Sequence, residues 1–155
     1  MLLTGENERI AIDALFKKFG GKCFKTGKPL DIKKRKTWAI DHILPSRYLY
    51  PLTVPNAALL SRGANENKRD CWPSEFYTNN ELIHLAKITG ADLSLLARKK
   101  PVVNQDIDVN ACIARFLTVR ERSNLTKRIG ELVKLLRDNK LLSQVSAANR
   151  KLLGL

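Results

Sequence analysis

The chain has 155 residues and a formal net charge of +13 at pH 7, from 28 Lys and Arg side chains against 15 Asp and Glu. This length suits one compact domain or a small catalytic core with an extension, and it excludes two large domains. An apolar fraction of 44% with only eight glycines excludes wholesale disorder and a fibrous repeat. The positive charge favours a polyanionic partner. The alternative is that the excess lysines serve only solubility.

Cysteine content and hydropathy indicate the compartment. Cys23, Cys71 and Cys112 are odd in number and irregularly spaced, which argues against a disulfide framework. No stretch is apolar over the roughly 18 residues that a membrane-spanning helix needs, and the N-terminus lacks the apolar segment of a signal peptide. We therefore expect a cytoplasmic protein in a reducing environment, with no membrane partner.

The first half of the chain alternates short predicted helices and strands. Residues 6–19 place Leu15 and Phe16 on one helical face, and Gly20 and Gly21 end that helix. Turn, β-branched and proline residues then predict, in order, a knuckle at 22–30, a basic loop at 31–36, a strand at 37–43, a loop at 45–55, a strand at 56–61 and a helix at 65–71.

The second half is predicted to be helical. Thr78 or Asn79 caps a helix that Gly90 closes, and Asp92 opens another that Pro101 stops. Apolar residues at helical spacing predict two longer helices, at 107–119 and 124–139.

A polar set closes the first predicted strand and continues after it. Residues 38–45 read Trp-Ala-Ile-Asp-His-Ile-Leu-Pro, so that Asp41 and His42 end an apolar run. Asp41 and Asn65 offer hard oxygen ligands, which suit Mg²⁺ or Mn²⁺ better than Zn²⁺. His42 is a candidate base, since an imidazole of near-neutral pKa can take a proton from water. Together they suit metal-assisted hydrolysis of a phosphodiester.

This interpretation sets two geometric conditions. Neighbours on a regular strand face opposite sides, so the strand must end or bulge at Asp41 and His42. If Asn65 opens the short helix, its side chain and the positive helix end lie where a phosphate would dock. Each residue alone has a simpler interpretation: Asp-His pairs are more often structural, and an Asn at a helix start is usually a cap.

Asn56 follows His42 by 14 residues, Asn65 follows Asn56 by nine, and Lys68 follows Asn65 by three. With this multi-part pattern, residues 23–77 resemble the HNH, or ββα-metal, nuclease family. The resemblance implies a small ββα-metal core that uses one divalent cation, Mg²⁺ or Mn²⁺, to cut DNA. It implies that Asp41 and Asn65 are metal ligands and catalytic residues, and that His42 is the catalytic general base. It also implies that Asn56 is a structural residue that orients the loop.

Basic residues around this set are the candidate nucleic-acid contacts. The resemblance implies that Lys68 touches the DNA backbone. For the basic cluster at 33–36, adjacency to the site makes phosphate contact as reasonable as the alternative of a solvated loop. For the remaining candidates, contact with the substrate is a hypothesis. The basic candidates besides Lys68 are Arg69, Arg47, Lys33, Lys34, Arg35 and Lys36. Basic residues of the second half either follow DNA or form the polar faces of ordinary helices.

The chain departs from the family at its structural zinc site. Many relatives hold a zinc ion with two Cys-x-x-Cys knuckles. The equivalent positions here are Cys23 and Thr26, then Ser61 and Ala64, so only one of four tetrahedral ligands is present. We therefore expect no structural zinc, a knuckle held by packing around Phe24, and Cys23 as a small buried apolar residue.

We expect an α+β fold, with a small ββα-metal core and its N-terminal helix in residues 1–77. Residues 78–155 are expected to form an α-helical region for DNA binding or dimerisation. The expected function is a metal-dependent endonuclease of the restriction type that acts on double-stranded DNA, and a homodimer is one way to cut both strands. The alternatives are a non-cleaving nucleic-acid-binding module that keeps the fold, a basic interaction protein, or an enzyme that acts on RNA.

Overall fold

The computed structural model describes Thr4, residues 6–118 and residues 124–155. The chain divides into two compact units, Glu6–Val102 and a second unit that joins Val103–Leu155 to Met1–Gly5. The boundary between these units lies after Val102. The functional division expected after residue 77 stays a prediction.

The first unit is α+β, which confirms the predicted class. In chain order its helices and strands are α1 (Ile12–Lys18), β1 (Trp38–His42), β2 (Ala57–Ser61), α2 (Arg62–Lys68), α3 (Pro73–Phe76), α4 (Asn79–Thr89) and α5 (Leu93–Leu96). The two strands form an antiparallel sheet whose register runs from Trp38 opposite Ser61 to His42 opposite Ala57. α2 follows β2 without a loop, so the predicted order of strand, loop, strand and helix is present.

The first helix is shorter than predicted. It begins at Ile12, so the residues before it are not helical. The Glu8 amide donates to the Leu52 carbonyl at 2.8 Å, and the Leu52 amide donates to Asn7 Oδ1 at 2.8 Å. Long-range hydrogen bonds within the chain therefore replace the helical ones at this end. This is a tertiary effect that local periodicity does not contain.

The prediction for α2 is wrong by three residues. The sequence predicts this helix at 65–71, but the helix starts directly after Ser61. The Ser61 hydroxyl accepts a hydrogen bond from the Ala64 amide at 3.3 Å and caps the helix. Asn65 consequently lies inside α2, and the expectation that it opens the helix at the positive end of the dipole is also wrong.

The core of the first unit surrounds the sheet. Trp38 and Trp72 are completely buried, and the ring of Phe16 packs edge-to-face on Trp38 with centroids 5.0 Å apart. Leu59, on the central part of β2, is also fully buried. Burial of these large side chains anchors the strands that carry the polar set.

The later helices of this unit follow their capping signals. The Thr78 hydroxyl accepts from the Glu81 amide at 3.2 Å, and Gly90 ends α4 with a φ of 77°. Asp92 opens α5 by accepting from the Ser94 amide at 3.0 Å, although α5 is shorter than predicted.

The second unit is helical, with α6 (Val109–Thr118), α7 (Leu125–Asp138) and α8 (Ala147–Leu153). Val119, at the end of the predicted helix 107–119, lies outside the described residues. The sequence did not predict α8. Within the described parts of both units, no helix combines the length and apolar composition needed to cross a membrane.

Candidate active site

The strand that carries Asp41 and His42 ends at His42, and both residues are paired in regular antiparallel register, Asp41 opposite Ala58 and His42 opposite Ala57. The side chain of Asn56 holds the segment that follows this strand. Its Oδ1 accepts from the Leu44 amide at 2.7 Å, and its Nδ2 donates to the carbonyls of Leu44 at 3.1 Å and Pro51 at 2.9 Å. Asn56 thereby fixes the geometry of the loop that leaves the site.

A polar cleft of about 140 Å³ opens where β1 ends beside α2. It brings together Asp41, His42 and Asn65, three residues that the sequence placed in one site. Its full lining is Ile40, Asp41, His42, Pro45, Ser46, Asn65, Arg69 and Asp70. The sequence reasoning did not include Asp70 in the site, although it stands two residues after Lys68 in the same run.

Asp41 is buried, with 6% of its surface exposed, and an ion pair with Lys68 holds it. Lys68 Nζ lies 3.0 Å from Asp41 Oδ2 and donates a hydrogen bond to Oδ1 at 3.3 Å. The same ammonium donates to the His42 carbonyl at 2.8 Å. The 3.0 Å approach does not have hydrogen-bond geometry, so Oδ2 is a buried oxygen to which no described residue donates a hydrogen bond.

Burial sets the protonation of both strand residues. It raises the pKa of Asp41 to about 6, and the opposing effect of the Lys68 ammonium offsets this only in part. Burial also lowers the pKa of His42, and the Lys68 charge lowers it further. At pH 7 the carboxyl of Asp41 is therefore ionised, and the imidazole of His42 is neutral and able to accept a proton.

The oxygens that line this cleft fit a hard divalent cation. Asp41 offers a carboxylate whose Oδ2 accepts no hydrogen bond from the described residues, and Asn65 offers an amide oxygen from α2 at the same cleft. No cluster of three or more His, Cys, Asp or Glu residues that could hold a metal ion occurs among the residues described. Two protein oxygens would leave positions for water and phosphate, as is usual for Mg²⁺.

Two of the basic candidates next to this cleft differ in accessibility. Arg69 is exposed and lines the cleft, and its backbone has a φ of 50°, a conformation that L residues rarely adopt. Lys68 has no exposed surface. In this conformation its ammonium reaches Asp41 and His42, not a phosphate in solvent.

The remaining basic candidates lie outside the lining of the cleft. Arg47 is exposed, with its guanidinium 5.9 Å from the ring centroid of Tyr48. Arg35 stacks 4.1 Å from the Trp38 ring centroid and donates to the Trp38 carbonyl at 3.0 Å. Lys33, Lys34 and Lys36 are exposed beside it, at the start of β1, roughly 13 Å along the strand from His42.

Of the positions that the resemblance compares with a zinc site, Cys23, Ser61 and Ala64 lie near one another, and Thr26 is on the turn that Cys23 begins. Cys23 is buried, and its Sγ donates to Ser61 Oγ at 3.6 Å. Ala64 packs in the same small apolar cluster as Cys23, and Phe24 packs against that cluster from outside. The turn is closed by hydrogen bonds between the Cys23 amide and the Lys28 carbonyl and between the Gly27 amide and the Cys23 carbonyl.

Comparisons with known proteins give a limited similarity. A scan against models of known protein families finds no match. The chain is similar to a CRISPR-associated endonuclease Cas9 of Streptococcus mutans serotype c, strain ATCC 700610 / UA159, with 30% identity over 90 residues. The matched stretch is 57% of this chain and spans 7% of the length of that relative. The similarity suggests a nuclease.

Proposed function

We propose that this chain is an HNH-type, metal-dependent DNA endonuclease that hydrolyses phosphodiester bonds. The observation that carries the proposal is the polar cleft at the junction of β1 and α2, which Asp41, His42 and Asn65 line together. The order of two antiparallel strands and a helix agrees with a ββα-metal core. The similarity to a protein named as an endonuclease supports cleavage as the activity.

Each residue of the cleft has a role in this proposal. Asp41 and Asn65 would hold one divalent cation, Mg²⁺ or Mn²⁺, which when bound supplies positive charge to the phosphoryl and leaving oxygens. His42 takes a proton from the attacking water, because its lowered pKa keeps the imidazole neutral at pH 7. Asn56 keeps the loop beyond His42 in place through Leu44.

Positive charge favours DNA as the partner. The chain carries a net charge of +13, and Arg69 reaches the cleft itself. Arg47 and the exposed basic residues before β1 would contact phosphates farther along a duplex. A restriction-type enzyme that cuts both strands needs two active sites, so we propose either a homodimer or two successive nicks.

One observation favours the alternative, a nucleic-acid-binding module that keeps the fold without cutting. Asp41 already has a counter-charge in Lys68, at 3.0 Å between Nζ and Oδ2, so the carboxylate is neutralised without a metal. Cleavage is the property that separates these two functions.

The test is incubation of supercoiled plasmid with the purified protein in Mg²⁺, in Mn²⁺ and in chelator. His42→Ala is the inactive variant, and His84→Ala is its matched control, since His84 is exposed and stacks on Phe24 away from the cleft. We expect metal-dependent cleavage that His42→Ala abolishes and His84→Ala retains. Discrete linear fragments indicate a restriction-type enzyme, and nicked circles indicate a nicking enzyme. DNA binding without cleavage in any metal contradicts the proposal and favours the binding module.

A further inference from the structure

Lys68 has an unusual environment for a lysine on a short helix. It stands in the last turn of α2 with no exposed surface, and its ammonium is enclosed by groups from the end of β1. These groups are both carboxylate oxygens of Asp41, at 3.0 and 3.3 Å, and the carbonyl of His42, at 2.8 Å. A buried ammonium is costly unless it is paired and hydrogen-bonded, and this one is both.

The contacts of Lys68 connect the two halves of the proposed site. One partner is the side chain of a proposed metal ligand, and the other is the backbone of the proposed general base. Lys68 therefore holds the last two residues of β1 against α2, the helix that also carries Asn65. The same contacts place a positive charge beside the carboxylate that a divalent cation would have to bind.

We propose that Lys68 is a positioning residue that serves as the built-in counter-cation of Asp41 and competes with a divalent cation for its carboxylate. The inference rests on the proposed function and adds a role that differs from contact with DNA. Without metal, Lys68 keeps the end of β1 in place. With metal, its charge repels the incoming cation, so affinity for the cation is lower than the oxygens alone would give.

Repulsion between Lys68 and the cation predicts that removal of the Lys68 charge strengthens metal binding. Lys68→Met and Lys68→Gln remove the charge and keep the length of the chain to a good approximation. Each variant should bind Mn²⁺ at least about 10-fold more tightly than the wild type, because the like charge beside the carboxylate is gone. A lysine with a merely structural role would give the opposite result, since loosening the site would weaken binding.

The experiment is calorimetric titration of the whole chain with Mn²⁺ alone at pH 7.5, together with thermal melting. Lys87→Met is the matched control, because Lys87 is exposed on α4 and its removal changes the net charge equally. We expect both Lys68 variants to melt lower than the wild type without metal and to gain more in melting temperature from Mn²⁺, as tighter binding requires. Lys87→Met should match the wild type.

Asp41→Asn separates failure of this inference from failure of the proposed site. Mn²⁺ binding that requires Asp41 but is equal or weaker in both Lys68 variants overturns the role of Lys68 alone. Mn²⁺ binding that survives Asp41→Asn, or no binding by any form, overturns the proposed metal site and this inference with it. The Gln variant retains an amide that can donate to the His42 carbonyl, so it reports on the charge if the Met variant does not fold.

Discussion

Cys23 Sγ lies 3.6 Å from Ser61 Oγ, which is close to the separation of about 3.8 Å between two sulfurs on one tetrahedral zinc ion. Ala64 belongs to the same cluster, and Thr26 lies on the knuckle turn that Cys23 begins. The side chains of Cys23 and Ser61 are thus spaced as two thiolates on one zinc ion would be. Phe24 and Leu30 pack against this cluster.

The first prediction is that the triple variant Thr26→Cys, Ser61→Cys and Ala64→Cys binds zinc. Loss of the Ser61 cap should cost the metal-free variant about 1 kcal/mol of unfolding free energy, and zinc should more than restore it. Titration with Co²⁺ in place of zinc measures the site through the absorption bands that tetrahedral thiolate coordination produces. The same variant with Cys23→Ser retains three thiols and should bind far more weakly; equal affinity would show that Cys23 is not a ligand.

A second prediction concerns Asn56, which is buried and whose side chain makes three hydrogen bonds. Asn56→Ala leaves both backbone groups of Leu44 and the Pro51 carbonyl without this partner, and should lower the free energy of unfolding by about 2–4 kcal/mol. Urea denaturation measures the loss. Asn67→Ala, an exposed position on α2, is the control and should change stability by less than about 0.5 kcal/mol. Similar losses in both variants would contradict the role of Asn56 in fixing the loop.

Much of this site follows from the sequence, and what does not follow has physical reasons. The strands, the end of β1 and the meeting of Asp41, His42 and Asn65 were predictable, because local β-propensity and the spacing of a multi-part motif specify them. The burial of Lys68 was not, since lysines are almost always exposed and only tertiary contacts reveal the pairing with Asp41.

The start of α2 was missed for a related reason. Ser61 is both the last residue of β2 and the cap of α2, and a sequence cannot show that one residue does both. The late start of the first helix depends similarly on hydrogen bonds from Glu8 and to Asn7, which join the residues before the helix to Leu52 far along the chain. Contacts of this kind are absent from local patterns.

The third prediction is a pH dependence of stability that arises from Asp41. Its pKa is raised to about 6, so the folded chain holds this proton more tightly than the unfolded chain does. The stability that it contributes is fully present below about pH 4 and is lost as the pH rises through about 6, amounting to about 3 kcal/mol.

The double variant Asp41→Asn with Lys68→Met tests this dependence, because it removes both charges together and leaves neither buried alone. Urea denaturation of wild type and variant at pH 4, 5, 6 and 7 gives the difference in unfolding free energy at each pH. We expect that difference to change by about 2 kcal/mol between pH 4 and 7, with the wild type losing stability relative to the variant. A constant difference would mean that Asp41 does not titrate in this range.

The last prediction concerns Arg69, which ends α2 with a φ of 50° and a ψ of −129° while its side chain lines the cleft. A glycine adopts this backbone without steric strain, so Arg69→Gly should raise the free energy of unfolding by about 1 kcal/mol. If the guanidinium contacts a phosphate, the same variant should bind DNA more weakly, and the salt dependence of its binding should fall by about one phosphate contact.

Arg69→Ala removes the guanidinium but keeps the strained backbone. It should therefore lose DNA affinity equally while gaining no stability. Denaturation and salt-dependent DNA binding of both variants separate the two effects. Unchanged DNA binding in both would show that the guanidinium of Arg69 does not contact DNA.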